Sequence, residues 1–486
     1  MRRNRGAQRE AGRLLVPGLV FLGMVVAVVS SLGASLIPTI AETYDVSPNV
    51  AQWSLTITFL VSAPATPLLG RLGDGPHRRQ VIIGILAAVT LGSVLAALPL
   101  GFPLLLVGRG LQGIGLALTP LGIAVVRDAL PPERVPPAAA KLSVTTAAGI
   151  GLGYPITGLV ALHGGLHAAF WFGAAVSAAG LLIAVLVVPS AANRPRTPID
   201  FPGVVLLGAA LSGLLLALSE GGRWGWTSPA VILVVAASLV TLAGWVLLES
   251  RRRHPLVDLR LLTRRGVLTA DVIVLLAGVG MYVLISLTTR FVQTPSSTGY
   301  GLGATVVVAG LTLLPFSAAS ALATRLTRSV ATTVSSSVVL ATGAVLVLAA
   351  SVLFACATTG MGEVLTVMAL AGLGVGAIFA VLPGLIVGSV PAHETGSATS
   401  FHQVIRYVGY AVGSAMSGAV LEAATGPGQP FPVAAGYTHA ALLGGGVSVL
   451  TVVASIVLPR LRAGTAPSAQ SRAGGNTEPA PHVPCG

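Results

Sequence analysis

The hydrophobic positions of this chain fall in long unbroken runs. Leucine, valine, alanine and glycine continue through each run without the period-two alternation of a membrane barrel. A spanning helix needs about 20 mostly apolar residues. Fourteen runs reach that length, at about 14–38, 52–72, 80–100, 103–126, 138–162, 168–189, 202–219, 229–249, 267–289, 302–324, 331–355, 361–388, 399–423 and 437–459. The pattern predicts an all-α polytopic membrane protein with fourteen transmembrane helices. The first run follows a basic start, Met1-Arg2-Arg3-Asn4-Arg5, like that of a signal peptide. It is too long for one and has no clear cleavage site, so it reads as a retained helix.

The polar breaks between runs carry the orientation. With the N-terminus inside, the inner segments hold Arg2, Arg3, Arg5, Arg9 and Arg13, then Arg71, Arg78 and Arg79, then Arg127, Arg134 and Lys141. Further inner residues are Arg194, Arg196, Arg251, Arg252, Arg253, Arg260, Arg264, Arg265, Arg325, Arg328, Arg460, Arg462 and Arg472. That is 24 of the 28 basic residues. Only Arg223 and Arg290 fall outside, and Arg109 and Arg406 lie within runs. The asymmetry predicts both termini on the inner side.

Composition agrees: 54% of residues are hydrophobic and 9% charged, against about 25% charged in a soluble domain. The net charge of +13 is spent on orientation, not on a basic face with interleaved aromatics, so no nucleic-acid partner is expected. Cys356 and Cys485 are too few for a disulfide framework or metal cluster. Lys141 is the sole lysine and no Gly-Lys-Ser/Thr triplet exists, which excludes a phosphate-cradling loop. No triad, carboxylate pair or metal spacing appears, so neither an enzyme nor a resident cofactor is expected. Work done by the chain is then expected to draw on an ion gradient. The eight histidines read as incidental.

An internal echo divides the chain. Gly113-Ile114-Gly115 recurs as Gly372-Leu373-Gly374, and the same offset maps Pro132 onto Pro391. Two six-helix pseudo-repeat bundles are expected, at 14–190 and 267–460, with two inserted helices at 191–250 and a cytoplasmic connector at 251–266. Cytoplasmic tails take 1–13 and 461–486, the latter Ala/Gly/Pro/Ser-rich and disordered by composition. Alternating leucines in the connector suggest a short amphipathic helix on the membrane surface. Internal repeats are a mark of secondary transporters.

Several residues carry candidate chemistry. Arg109, two turns into the fourth run, must face protein or water, and Gln112 shares its face. Arg406, preceded by Gln403, stands likewise in the thirteenth run. Either arginine could serve a proton path, meet the substrate, or simply tie helices together. Asp271, one turn into the ninth run, reads as snorkelling to the inner surface. Arg290 and Glu422 could pair as an outer gate. Gly149, Gly153, Pro155 and Gly158 suggest a hinge in the fifth run, or tight packing alone. Ser31, Ser35 and Tyr154, with Gln403 and Arg406, are candidates for lining a cavity.

The polar break Gly70-Arg71-Leu72-Gly73-Asp74-Gly75-Pro76-His77-Arg78-Arg79 resembles the signature of the major facilitator superfamily between helices two and three. Gly70, Asp74, Arg78 and Arg79 match it, and His77 stands where glycine is usual. Arg109 through Gly115 is similar to that family's helix-four motif, whose arginine is implicated in proton coupling. The fifth run resembles its antiporter motif at Pro155 and Gly158, with Tyr154 and Leu159 in place of glycines. Ile199-Asp200-Phe201-Pro202-Gly203, Trp224-Gly225-Trp226, Pro255-Leu256-Val257-Asp258-Leu259-Arg260 and Gly299-Tyr300-Gly301 are similar to the 14-helix drug:proton antiporter branch. That branch usually carries an Asp and an Asn in helix one, where this chain has Val29 and Ala34. The proton would then use Asp74, Asp271, an end acid such as Glu422, or a charge on the substrate.

The resemblance implies a monomeric exporter of small, largely apolar compounds, exchanging them for protons by rocking two halves about a central cavity, and the few lysines beside many arginines, alanines and glycines suggest a GC-rich bacterium, hence its inner membrane. In that reading Asp74 meets the N-terminus of helix thirteen as an inner latch. An uptake symporter or facilitator on the same fold is the alternative, and a non-transporting membrane sensor or enzyme a third.

Overall fold

In the computed structural model the described residues are 2–34, 36–46, 48–189, 200–252, 255–330, 333–357, 360–426, 429 and 431–460. Every regular element among them is helical. The long helices are α1 (Arg2–Ala34), α2 (Trp53–Asp74), α3 (Arg78–Ala97) and α4 (Phe102–Ala129). A 53-residue helix, Val135–Val187, follows. It is broken at Gly165, where φ is 77° and ψ −178°, so we name its parts α5 (135–164) and α6 (166–187). Then come α7 (Phe201–Trp224), α8 (Pro229–Arg251), α9 (Arg265–Gln293), α10 (Val307–Val330), α11 (Ser336–Ala357), α12 (Met361–Ser389), α13 (Thr395–Ala423) and α14 (Ala434–Arg460).

Twelve of the described helices are long and apolar enough to cross a membrane. In lipid, helices succeed because each satisfies its own backbone, and their starts here are marked by residues that suit an unpaired first turn. Asp200 accepts from Gly203 N–H at 3.3 Å before α7, and Ser228 accepts from Val231 N–H at 3.3 Å before α8. Proline follows each cap, at Pro202 and Pro229, where its missing N–H costs nothing.

Without a hydrophobic drive between helices in lipid, close backbone approach through small residues holds the bundle. A Cβ on Gly92 of α3 would lie 2.5 Å from the Gly108 carbonyl oxygen of α4. One on Gly343 of α11 would lie 2.7 Å from that of Gly374 on α12. Thr58 of α2 donates to the Arg109 carbonyl of α4 at 3.1 Å, and Ser320 of α10 to the Gly372 carbonyl of α12 at 3.0 Å. The glycine echo falls on like contacts: Gly113 meets Thr58 of α2 and Gly115 meets Val89 of α3, as Gly372 meets Phe316 of α10 and Gly374 meets Gly343 of α11.

The α7–α8 hairpin packs on α2 and α13. Ser212 donates to the Leu60 carbonyl at 3.1 Å, Thr56 and Ser219 share a 2.9 Å hydrogen bond, and Trp245 stacks on Phe401 at 6.2 Å. The connector after α8 corrects an expectation. Its only described helix is the single turn Leu259–Leu262. Leu256, Val257 and Leu261 are buried against the protein, not laid on a membrane surface. Glu249 fixes this course by accepting from Val257 N–H at 2.7 Å.

Candidate functional site

The site grows from the joint between α2 and α3. Gly70 lets α2 cross α13 closely: a Cβ there would lie 2.9 Å from the Gly396 carbonyl, and one on Gly396 would lie 2.6 Å from Asp74 Oδ1. One turn on, Asp74 points at the first turn of α13. Its Oδ1 accepts from Gly396 N–H at 2.7 Å, and its Oδ2 from Ser397 N–H at 2.8 Å and Ser397 Oγ at 2.6 Å. The first amides of a helix have no partner within it, and their dipole end favours an anion. Asp74, 3% exposed, supplies both needs from a helix more than 300 residues away in sequence.

Three further charges grip the same joint. Arg71 donates from Nη1 to both carboxylate oxygens of Glu394, at 3.0 and 2.9 Å. Arg127, near the end of α4, donates to the Val390 carbonyl at 2.7 Å and to Thr395 Oγ1 at 2.6 Å. The Val390 carbonyl lies at the negative end of α12, where a cation is favoured. Opposite charges thus hold the two helix ends that meet between α12 and α13. Arg78 serves the near side: it donates to the Gly73 and Ala124 carbonyls and pairs with Asp128. Arg79 reaches the Val185 carbonyl of α6 at 2.6 Å. No local pattern in the sequence marks Glu394, Arg127 or Asp128 for this joint.

Arg109 is fully buried. Its guanidinium donates to the Val29 carbonyl of α1 and the Ser54 carbonyl of α2, each at 3.0 Å, and to Gln112 Oε1. Gln112 passes the chain on to Ser93 of α3 at 2.9 Å. Three helices, α1, α2 and α4, meet at this one cation, and Gln112 adds α3. Where an acid would stand in helix one, Val29 offers only its backbone oxygen.

Arg406 is 1% exposed. It donates to Gln403 Oε1 and, at 3.3 Å, to Ser143 Oγ of α5, with its guanidinium 5.1 Å from the Phe379 ring centre on α12. Gln403 in turn donates to the Tyr407 hydroxyl. Gln403 and Arg406 are thus packed between helices. Asp271 departs from expectation. It does not snorkel; it is 7% exposed, and its Oδ1 lies 2.8 Å from His402 Nδ1 on α13. By sequence alone His402 reads as incidental. The signal that could have found it is the polar stripe Thr399, His402, Gln403, Arg406, spaced for one face of α13.

Along α5 the helix continues through Pro155, and its non-helical residue is Gly165. Gly149 packs on Ala27 of α1, and a Cβ on Gly158 would lie 3.9 Å from Val307 of α10. Gly153 and Pro155 are buried. Ser35 lies outside the described residues, as do the side chains of Ser31 and Tyr154. Among the described residues no ion pair joins Arg290 to Glu422, and no acidic, histidine or cysteine cluster could hold a metal.

The family profile of the Major Facilitator Superfamily matches residues 19–414. The chain belongs to the major facilitator superfamily. It is 29% identical over 397 residues to the multidrug resistance protein Stp of Mycobacterium tuberculosis (strain CDC 1551 / Oshkosh), covering 80% of this chain and 72% of that protein. It is 27% identical over 416 residues to the tetracenomycin C resistance and export protein of Streptomyces glaucescens, covering 84% and 75%. To the probable actinorhodin transporter of Streptomyces coelicolor (strain ATCC BAA-471 / A3(2) / M145) it is 27% identical over 431 residues, covering 85% and 72%. The crystal structure of the human organic anion transporter MFSD10 (TETRAN) shares the fold, with a TM-score of 0.63 at 18% identity, over 91% of this chain and 99% of that one. This superfamily member is a transporter and not an enzyme, and a multi-pass protein of the cell membrane.

Proposed function

We propose that the chain exports small, largely apolar compounds, antibiotics or the cell's own metabolites, in exchange for inward protons by alternating access. The observation that carries the reading is the Asp74 carboxylate of α2 held by the first amides of α13. A transporter that rocks two halves needs a closure that forms in one state and parts in the other, and this contact joins elements from either side of the inserted hairpin. Relatives named for multidrug resistance, tetracenomycin C export and actinorhodin transport support the class of compound.

The membrane passes number fourteen in this reading, with both termini inside. To the twelve apolar helices it adds α1, through its apolar part Leu14–Val29, and it counts α5 and α6 separately across Gly165. The basic residues of the α2–α3, α4–α5 and α8–α9 joints then share the inner side, where Arg71, Arg127 and Arg264 all reach the α12–α13 joint. Two bundles, α1–α6 and α9–α14, flank the hairpin. The glycines and Pro155 of α5 serve as its hinge.

Arg109 would couple protonation to closure, because it ties α1, α2 and α4 at one point. In everted vesicles with an imposed pH gradient, a panel of apolar antibiotics is expected to include compounds accumulated by the wild type and not by Arg109→Ala. Unchanged flux in that variant would remove Arg109 from coupling. One observation favours a second reading, uptake or facilitated flow: helix one offers a carbonyl, not an acid, to Arg109. Net flux with the proton gradient in place of against it would select that reading.

A further inference from the structure

We infer that Asp271 and His402 together form the site that carries the coupling proton. The inference rests on the proton-antiport reading above. Asp271 on α9 and His402 on α13 face each other at 2.8 Å, with 9% and 7% of their side-chain surfaces exposed. A carboxylate buried beside lipid-facing helices is costly unless it is paired. An imidazole is the side chain that takes up and gives off a proton near neutral pH. Paired, the two hold one proton in place in a buried site. With it, imidazolium Nδ1–H donates to Asp271 Oδ1 and the pair is neutral. When that proton leaves for water, a carboxylate and a neutral imidazole remain, and the pair carries one negative charge.

The charged side chains around the pair have partners of their own. From α2, Arg71 and Asp74 face α13, engaged with Glu394 and with the Gly396 and Ser397 amides. From α4, Arg127 and Asp128 are engaged with Val390 and with Arg78. On α13 itself Arg406 turns to Gln403 and Ser143. At the head of α9, Arg264 donates to the Ser389 carbonyl. The α7 end charge, Asp200, lies beside Arg252 at 3.6 Å.

The pair also has a lever. His402 stands about 7.5 Å along α13 from Ser397, at 1.5 Å per residue, and Ser397 is where Asp74 holds that helix. Protonation tightens α13 against α9 in the state described, in which the latch is formed. Loss of the proton loosens it. Acid is therefore expected to favour the latched state.

The test uses the full chain in lipid nanodiscs, with Cys356→Ser and Cys485→Ser, and spin labels on Gln80→Cys and Ala392→Cys, two exposed positions flanking the latch. In this background the label distance is expected to shift toward the shorter population between about pH 8 and about pH 5. Asp271→Asn and His402→Gln are each expected to abolish the shift, and His402→Gln, which removes the imidazole, to bind about one proton fewer per chain by acid titration of the same nanodiscs. Should one variant fail to fold, the other carries the test. Variants that titrate with the unaltered midpoint and proton count would overturn the inference and leave proton antiport standing. No pH-dependent shift in the parent would instead overturn the antiport reading, and this inference with it.

Discussion

Asp74 shows what a single residue does when its surroundings are fixed by two helices. Both its oxygens face donors, two backbone amides and one hydroxyl. Asp74→Asn keeps the shape but turns an NH2 group toward one of those donors. Hydrogen bonds to a charged group are worth about 1.5–3 kcal/mol, so transport is expected to fall about tenfold or more, with insertion and expression unchanged. Flux per unit of membrane-inserted protein checks this. Gly396→Ala attacks the same contact from the other side, since its Cβ would meet Asp74 Oδ1 at 2.6 Å and the Gly70 carbonyl at 2.8 Å. It is expected to weaken the latch as much as loss of the carboxylate does, read by the same assay. At this scale the sequence is legible where a local pattern exists. Gly70 and Asp74 stand in one turn of polar residues between apolar runs. The Asp271–His402 pair is not legible in that way. Its members lie 131 residues apart, and each alone has an ordinary explanation, an end-of-helix acid and a stray histidine.

At the scale of the element, the apolar runs mark the helices and their caps mark the starts, but the joints depend on backbone geometry. The runs at 138–162 and 168–189 suggest an ordinary loop between them. The chain instead passes straight from α5 to α6, changing direction at Gly165 with φ 77° and ψ −178°. That region of backbone space is nearly confined to glycine and costs other residues about 1–3 kcal/mol. A Cβ at Gly165 would meet nothing within 4 Å, so the cost of Gly165→Ala is purely conformational. The variant is expected to lower the thermal midpoint of the purified protein and to spare transport by what remains folded. Gly158→Ala, also in α5 but opening on Val307 at 3.9 Å, is expected to leave stability unchanged. The connector shows the complementary limit. Its alternating leucines fit a surface helix by pattern, yet Asp258 caps only one turn, and Glu249 draws Val257 and its neighbours inward. A pattern of alternation says that one face is buried without saying whether lipid or protein buries it.

For the whole molecule, the question is what joins its two sides at the latch, and how much of that joining is electrostatic. Asp74 holds the positive end of α13, Arg127 the negative end of α12, and Arg71 meets Glu394 in the turn between. Most of this was hidden from the sequence because the partners of Arg127 include backbone carbonyls, which every residue carries. Arg71 and Glu394 offer the cleanest measurement, since both are side chains, with 5% and 16% of their surfaces exposed. Removing one partner of a fully buried pair strands the other charge at a cost of about 3–5 kcal/mol, and the partial exposure of Glu394 lowers that cost here. Arg71→Gln and Glu394→Gln are each expected to deplete the latched population seen by the Gln80 and Ala392 labels. The double variant strands no charge and is expected to deplete it by less than the two single effects combined. The interaction energy of that cycle, expected at about 0.5–3 kcal/mol for residues in contact, belongs to the latched state alone if the pair parts when the halves rock. Strict additivity would mean that the ion pair does not bias the equilibrium, leaving closure to Asp74 and Arg127, whose partners on the far side are mainly the ends of helices.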